Sequence, residues 1–587
     1  MKDTRCNWQF PGPDKALIPD MAAALDVSPH IARAMVNRGI LSVDAARAFL
    51  LPSEASLHDP FLMTDMRRAV DRAAAALRNK ERILVLGDYD VDGISGTALL
   101  VSFLRRLGGN VNYYIPDRET EGYGLSEDVV RKSSKAGYNL IITVDSGVSA
   151  TREADVARAL GLDMIIIDHH EPPQALPRAA ALLNPKREDC SYPFRDLAGV
   201  GVAFKFCCAL GQTRGIGIRD MLDGYAELVA LGTVADLVTL VDENRALVRT
   251  GLEHMANTGN LGLRYLIDVS RYNEEDRPDT FLVSFGLAPR INAAGRVWKP
   301  RAGVELLLAD APDRADKIAR KLDFHNRARI REEALILETA QDMLRGPGIL
   351  EKDKAILLFH EDWNIGIVGI VASKLLERHY RPVILMTVSG RPDDKSNPHP
   401  EKGRVCQGSA RSIPEVDIHA LLTQCEDLLI TYGGHAMAAG IKIYERDIPA
   451  LRARFNEILN GLTPRGRYSP SLAIDGVLRL DEITMDFLKQ TQLMEPCGAG
   501  NAKPLFAATN LNVLETRPCG ADGRHLLMRL GQNNAIAEAI GFNLAHRFNP
   551  AKFHGAAIDA AFNLKEDNFR GKRSVKLDLK DIRLSQF

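Results

Sequence analysis

No stretch of this 587-residue chain approaches the roughly 18–20 consecutive apolar residues that span a bilayer. The opening MKDTRCNWQFPGPDK also lacks the apolar core of a secretion signal. A membrane location is therefore not expected, and the cytoplasm is. Cysteine is sparse: eight residues at 6, 190, 207, 208, 406, 425, 497 and 519 form neither a CxxC pair nor a regular framework. That argues against a structural zinc site and a disulfide scaffold, leaving reduced thiols. Cys207 and Cys208 sit in GVAFKFCCALG, which reads as a buried helix. Excess positive charge is missing too: the formal net charge is −1, which argues against a simple nucleic-acid coating protein. Two bound divalent cations would raise that count to about +3, so the formal charge understates the field near any such site.

What is present is ordinary globular composition, 45% apolar over a length that predicts about three or four domains. Residues 1–65 read as a helical arm, punctuated by prolines and packed on the domain next to it in the chain. From 66 to 302 apolar strand-like runs alternate with helical segments, the pattern of a doubly wound α/β domain. Residues 303–345, including KLDFHNRARIREEALILETAQDMLRG, read as one long connecting helix. A second α/β pattern covers 346–465, with 389–403 as a surface loop and YGGHAMAAGIKI as a glycine-rich turn leading into a helix or strand. Short strand-like runs separated by turns fill 466–587 and predict a small β-barrel of the OB class. Its FRGKRSVKLDLK adds local positive charge that suits backbone binding or merely a charged outer strand.

The chemistry lies where three apolar runs end. RILVLGDYDVDG, NLIITVDSG and DMIIIDHH close on Asp88, Asp90 and Asp92, on Asp145, and on Asp168, His169 and His170. The first resembles the start of a calcium-binding EF-hand loop, but the twelfth position counted from Asp88 is Leu99, not Glu. A strand also precedes it where a helix should. Open α/β sheets place ligands beyond the carboxyl ends of their strands, so these residues should converge on one edge. Asp236 in LVALGTVADLVTL is a further acidic position, after an apolar segment of uncertain type. Carboxylates with an imidazole and no thiolate are hard ligands suited to Mg²⁺ or Mn²⁺. Two such ions would suit phosphoryl transfer.

DYDVDG, VDSG, DHHEPP, GTVADLV and GGHAMAAG occur in the order of the DHH phosphoesterase superfamily. FGLAPRINAAGRV, WNIGIVGIVASKL and MEPCGAGNAKPLF narrow the likeness: from about residue 20 onward the chain resembles the bacterial RecJ single-strand-specific exonucleases. The resemblance implies a DHH catalytic domain, a DHH-associated substrate-binding domain and an OB-like domain. It implies an enzyme that degrades single-stranded DNA from its 5′ end to mononucleotides, in repair and recombination. Two divalent cations, Mn²⁺ or Mg²⁺, would be held by Asp88, Asp90, Asp92, Asp145, His169 and Asp236, one or two of the first three acting from behind. Asp168 would orient His169, and His170 would approach the scissile phosphate. Arg118, Arg290, Asn292, Arg296, Ser409, Arg411, Gly433, Gly434 and His435 would bind substrate, arginine because its planar fork matches phosphate oxygens. A monomer is expected, with a single-strand-binding protein and a RecQ-family helicase as suppliers of substrate. The chain departs from the family pattern at Asn364, where a His is expected, at Ala410 for Gly, and at Cys497 for Phe. The rivals are a DHH phosphodiesterase of short oligonucleotides or cyclic dinucleotides, and a non-catalytic DNA-binding scaffold. The first is expected to be shorter and the second to have lost its acidic motifs.

Overall fold

The computed structural model describes residues 6–12, 16–117, 124–272, 277–297, 299–346, 349–389, 403–462, 468–520, 523–545, 547–548, 550, 553–569 and 572–585. The chain forms two compact units, one of Trp8–Asn326 with Ala473–Phe587, the other essentially Arg327–Leu472.

In the first unit, five parallel strands make one sheet: β1 (Arg82–Gly87), β2 (Asn110–Tyr114), β3 (Leu140–Val144), β4 (Asp163–Ile167) and β5 (Ala181–Leu183), in the order β2-β1-β3-β4-β5. The runs are apolar throughout because both faces are covered. Ile83, Val85, Ile142, Val144, Ile165 and Ile167 face a core with the helices α1 (Val91–Arg106), α2 (Gly199–Gln212) and α3 (Ile218–Ala235). Leu84, Leu86, Ile141, Met164 and Ile166 face a second, smaller core. The chain leaves β1 for β2 on one side and returns to β3 on the other, so the crevice beyond these strand ends is where such a sheet takes its ligand. Cys207 and Cys208 are buried in α2, and none of the eight cysteines, all described, is in a disulfide.

Two expectations about connectivity change. The helices Leu17–Leu25, Pro29–Asn37 and Val43–Leu50 do not simply pack on the neighbouring α/β domain. Ile31, Met35, Ala46 and Leu50 share one core with Leu478, Phe487, Phe506 and Phe562, more than 400 residues further on. Residues 49–58 meet the α/β domain instead, through Arg245, Lys205 and Glu243. The connecting helix is also interrupted. Arg301–Leu307 is a separate short helix whose Ala302, Val304, Leu306 and Leu307 belong to the α/β core. After the helix α4 (Ala288–Val297) and this short piece, α5 (Pro312–Arg345) begins on a proline, whose fixed φ suits a first helical position.

The second unit holds β6 (Ile356–Phe359), α6 (Ile365–His379), β7 (Val383–Val388), β8 (Val405–Arg411), β9 (Leu429–His435) and β10 (Ala438–Tyr444), with strand order β9-β10-β8-β7-β6. YGGHAM is therefore a strand and its hairpin, not a glycine-rich turn: Gly433 and Gly434 pair with Gly440 and Ala439. In the first unit, β11 (Phe506–Cys519), β12 (His525–Gln532), β13 (Ala535–Gly541), β14 (Ala557–Phe569) and β15 (Lys572–Leu584) close through the β11–β14 pairing into a five-stranded barrel.

Candidate metal centre

Each acidic residue is placed by local backbone chemistry. Asp90 caps α1, its Oδ1 accepting from the N–H of Asp92 at 2.9 Å and of Gly93 at 3.2 Å. A Cβ on Gly93 would stand 2.6 Å from the backbone of Asp88, so only glycine lets this turn close. Asp92 lies in the first turn of α1, buried, and reaches across to the start of α2, accepting from the N–H of Gly199 at 2.6 Å and of Val200 at 2.8 Å. The positive end of α2 favours that carboxylate. Asp145 follows β3 in the left-handed region, φ 59°, its N–H donating to Ile167 at 3.0 Å. Asp236 is the C-cap of α3, which crosses so close to α1 that a Cβ on Gly232 would be 2.9 Å from Asp92 Oδ1.

These elements converge. His169 Nε2 lies 3.1 Å from Asp145 Oδ1, 3.6 Å from Asp236 Oδ2 and 3.8 Å from Asp92 Oδ2. Two triads share no member, Asp92–His169–Asp236 and Asp88–Asp90–Asp145, the ligand atoms of each lying within 4.8 Å of one another. Asp145, His169 and His170 form a third such group that links them. All six residues expected to hold metal are thus brought together.

The electrostatics fit cations. Burial, then Asp236 and Asp90, hold Asp92 well above the usual carboxylate range. Burial and four neighbouring carboxylates do the same to Asp145. Asp236 is pushed up to about 7 by burial and Asp90. Burial, with His170 beside it, lowers His169 to about 3, so its imidazole is neutral. A neutral ring nitrogen among three carboxylate oxygens makes no hydrogen bond of acceptable geometry here. A divalent cation would satisfy that nitrogen and relieve the repulsion that otherwise leaves protons on the acids.

Asp168 serves a different imidazole from the one expected. Its Oδ1 lies 2.7 Å from His170 Nδ1 and accepts the backbone N–H of both histidines, while Oδ2 accepts from Val148 N–H at 2.8 Å. It meets His169 through the backbone only. Burial opposes a charged His170, but the bond and charge of Asp168 outweigh it and the net pKa is raised. Residues not singled out from sequence complete the frame: Asn184, fully buried, donates to the His170 carbonyl at 2.8 Å, and Lys186 lowers the pKa of Asp236 by its charge. Gly199 is obligatory, since a Cβ there would be 2.7 Å from that of Asp145.

The expected substrate contacts divide. Arg118 and the side chain of Arg296 lie outside the described residues. Arg290 is held by Asp323 and by the Gly286 carbonyl, and Asn292 is half-buried on the same helix α4. α4 nonetheless borders the cluster, because a Cβ on Gly295 would lie 3.3 Å from the Tyr89 carbonyl. In the second unit, the row Ser409–Gly440–Gly433 and the row Arg411–Ala438–His435 share one face of the sheet, two residues apart. Arg411 donates to Ser409 Oγ at 2.9 Å, and Ala410 points to the other, buried face. Asn364 caps α6, accepting from Gly366 N–H.

Residues 82–233 match the DHH family, N-terminal domain; 352–461 match the DHHA1 domain; and 474–581 match the RecJ OB domain. The single-stranded-DNA-specific exonuclease RecJ of Bacillus subtilis (strain 168) is 36% identical over 592 residues, spanning 100% of this chain and 72% of that protein. Its Escherichia coli (strain K12) counterpart is 32% identical over 95% of this chain and 96% of its own length. The chain belongs to the RecJ family. RecJ from Thermus thermophilus, solved with Mn²⁺, superposes with a TM-score of 0.82 at 29% identity, covering 99% of this chain and 80% of that one. The same RecJ has been solved with Mg²⁺, at a TM-score of 0.77. Both cations are among those the donor set here fits.

Proposed function

We propose that this RecJ-family chain is a metal-dependent exonuclease specific for single-stranded DNA, hydrolysing phosphodiester bonds at the Asp88–Asp236 cluster. The observation that carries the reading is the pair of oxygen-rich triads around a neutral His169, on the sheet edge where an open α/β fold takes its ligand. Asp88, Asp90, Asp92, Asp145, His169 and Asp236 would hold two Mn²⁺ or Mg²⁺ ions. Bound there, the ions supply a nucleophile from water and neutralise charge on the attacking and leaving oxygens. His170, oriented by Asp168 Oδ1 at 2.7 Å from its Nδ1 and raised in pKa by that carboxylate, donates to a phosphate oxygen, and Asp168 is a positioning residue.

Digestion from the 5′ end to mononucleotides is supported by the polar face of Ser409, Arg411, Gly433 and His435, which suits a terminal phosphate, whereas Gly434 lies in the row of Ala439 and Ala410 on the opposite face. The barrel supports a polymeric substrate over pyrophosphate or a dinucleotide. The cytoplasm, a monomeric state, and supply of strands by a single-strand-binding protein and a RecQ-family helicase belong to the same proposal. Among the described residues no helix is long and apolar enough to cross a membrane.

The test offers 5′- and 3′-labelled single strands, blunt duplex, RNA and pyrophosphate with Mn²⁺. Release of labelled mononucleotide first from the 5′ end of single-stranded DNA is expected. Preferential cleavage of duplex or of pyrophosphate overturns the assignment, and first release from the 3′ end overturns the polarity.

A further inference from the structure

Asp236 ends α3, and residues 237–241 connect it to the helix Asp242–Met255. Leu237, the first residue after this candidate ligand, has φ 63°, a conformation a bulky residue adopts only when its surroundings enforce it. Its own side chain cannot enforce it, being 71% exposed. The constraint comes from both sides of the turn. On the near side the Asp236 N–H donates to the Gly232 carbonyl at 2.9 Å, where α3 lies against Asp92.

On the far side three polar side chains form a staple. Thr239 Oγ1 donates to Asp196 Oδ2 at 2.9 Å. Asn244, fully buried in the first turn of the helix Asp242–Met255, donates from Nδ2 to the Asp196 carbonyl at 2.7 Å and to the Thr239 carbonyl at 2.9 Å. Asp196 lies three residues before Gly199, whose N–H, with that of Val200, seats the Asp92 carboxylate. The staple therefore ties the seat of Asp92 to the turn that carries Asp236. From outside, the segment ahead of the barrel buttresses the same turn: the Leu240 N–H donates to the Ala499 carbonyl at 2.8 Å, and a Cβ on Gly498 would be 2.7 Å from Leu240 Cδ1.

Asp92 and Asp236 are the two carboxylates of the triad that His169 completes. The other triad is set by different elements, Asp88 and Asp90 by the turn from β1 to α1 and Asp145 by the end of β3. We infer that Asp196, Thr239 and Asn244 are positioning residues that fix the spacing of Asp92 and Asp236 and so set the affinity of the cation this one triad holds. The inference rests on the metal-centre reading of the cluster. Its physical basis is preorganisation: two buried carboxylates of like charge repel, and a turn free to move would let them separate before an ion arrives. With the turn stapled, the ion meets ligands already in place, as outer partners of metal ligands generally ensure.

The test titrates Mn²⁺ into metal-stripped protein at pH 8 by calorimetry, for wild type, Asp236→Ala, Thr239→Val, Asn244→Ala and Thr239→Ser. Circular dichroism and metal-free melting confirm the fold of each. Wild type should take up two ions, and Asp236→Ala identifies the one that belongs to the triad. Thr239→Val and Asn244→Ala are expected to weaken that same ion about 10-fold or more, with the other within about twofold of wild type. Thr239→Ser keeps the hydroxyl and should bind both ions as wild type does. Thr239→Val removes only one half-buried hydroxyl and decides the outcome should Asn244→Ala not fold. Unchanged affinity for both ions overturns the inference. So does an equal loss of both, which would make the staple a general support of the fold. Uptake of fewer than two ions by wild type, or wild-type binding by Asp236→Ala, overturns the metal-centre reading and this inference with it.

Discussion

Asp92, Asp145 and Asp236 are acids whose pKa values burial and mutual repulsion raise, Asp236 to about 7. In the unfolded chain they titrate near 4. Their ionisation therefore opposes folding: the penalty is absent below about pH 4 and grows as pH rises through 7. A divalent cation removes it, and below 7 protons compete for the same oxygens. Saturating Mn²⁺ is accordingly expected to raise the melting temperature more at pH 8 than at pH 6, by thermal scans at both. An equal or reversed shift contradicts the assignment. At His170, Asp168→Asn should lower kcat about 10–100-fold. The charge that raises the imidazole's pKa is then lost, so the alkaline limb of the pH–rate profile should move to lower pH. A fall in kcat with that limb unmoved would leave Asp168 merely structural. Sequence misassigned this carboxylate because His169 and His170 are adjacent: which ring it meets depends on side-chain rotamers that spacing does not encode.

The three acid-tipped strands were legible because short β-branched runs bounded by Asp and Gly leave little alternative. Asp236 was legible as an acid but not as the end of a helix. α3 is buried almost all round, so ELVALGTVA lacks the polar face that marks a helix. GGH was misread for the opposite reason: glycine signals a turn, whereas Gly433 and Gly434 occupy an edge strand, Gly433 leaving its face open and Gly434 lying so close to Ala438 and Ala439 that a Cβ would not fit. The glycines that let elements meet gave no signal of their own. Gly199→Ala would place a methyl 2.7 Å from Asp145 Cβ and 3.0 Å from Asp92 Oδ2, at the very helix start that binds Asp92. It should cost about 1–3 kcal/mol in urea unfolding and weaken Mn²⁺ binding as well. Wild-type metal affinity in that variant would show that the α2 terminus does not set the cluster.

At the scale of the molecule, a barrel could be read from evenly spaced short strands, but its partner could not. An apolar stripe on residues 17–50 states that it will be covered, not by what. Arg245 joins the parts. Buried beneath Phe49, with 3.9 Å from guanidinium to ring centroid, it donates to the carbonyls of Phe49, Leu493, Met494, Glu495 and Pro496. Arg245→Ala strands these acceptors and should cost about 3–5 kcal/mol, read as a lower urea midpoint. A change below about 1 kcal/mol would mean the carbonyls find other donors. The central claim is that one carboxylate–imidazole cluster both binds the cations and cuts the strand. Its most direct test is nucleotide release from single-stranded DNA as Mn²⁺ is titrated into metal-stripped wild type and Asp145→Ala at pH 8. Wild type should be inactive without metal and gain activity as two ions bind per chain, while the variant stays at least ~10²-fold slower with an unchanged circular dichroism spectrum. Cleavage by metal-stripped protein, or near-wild-type activity in the variant, would contradict the account.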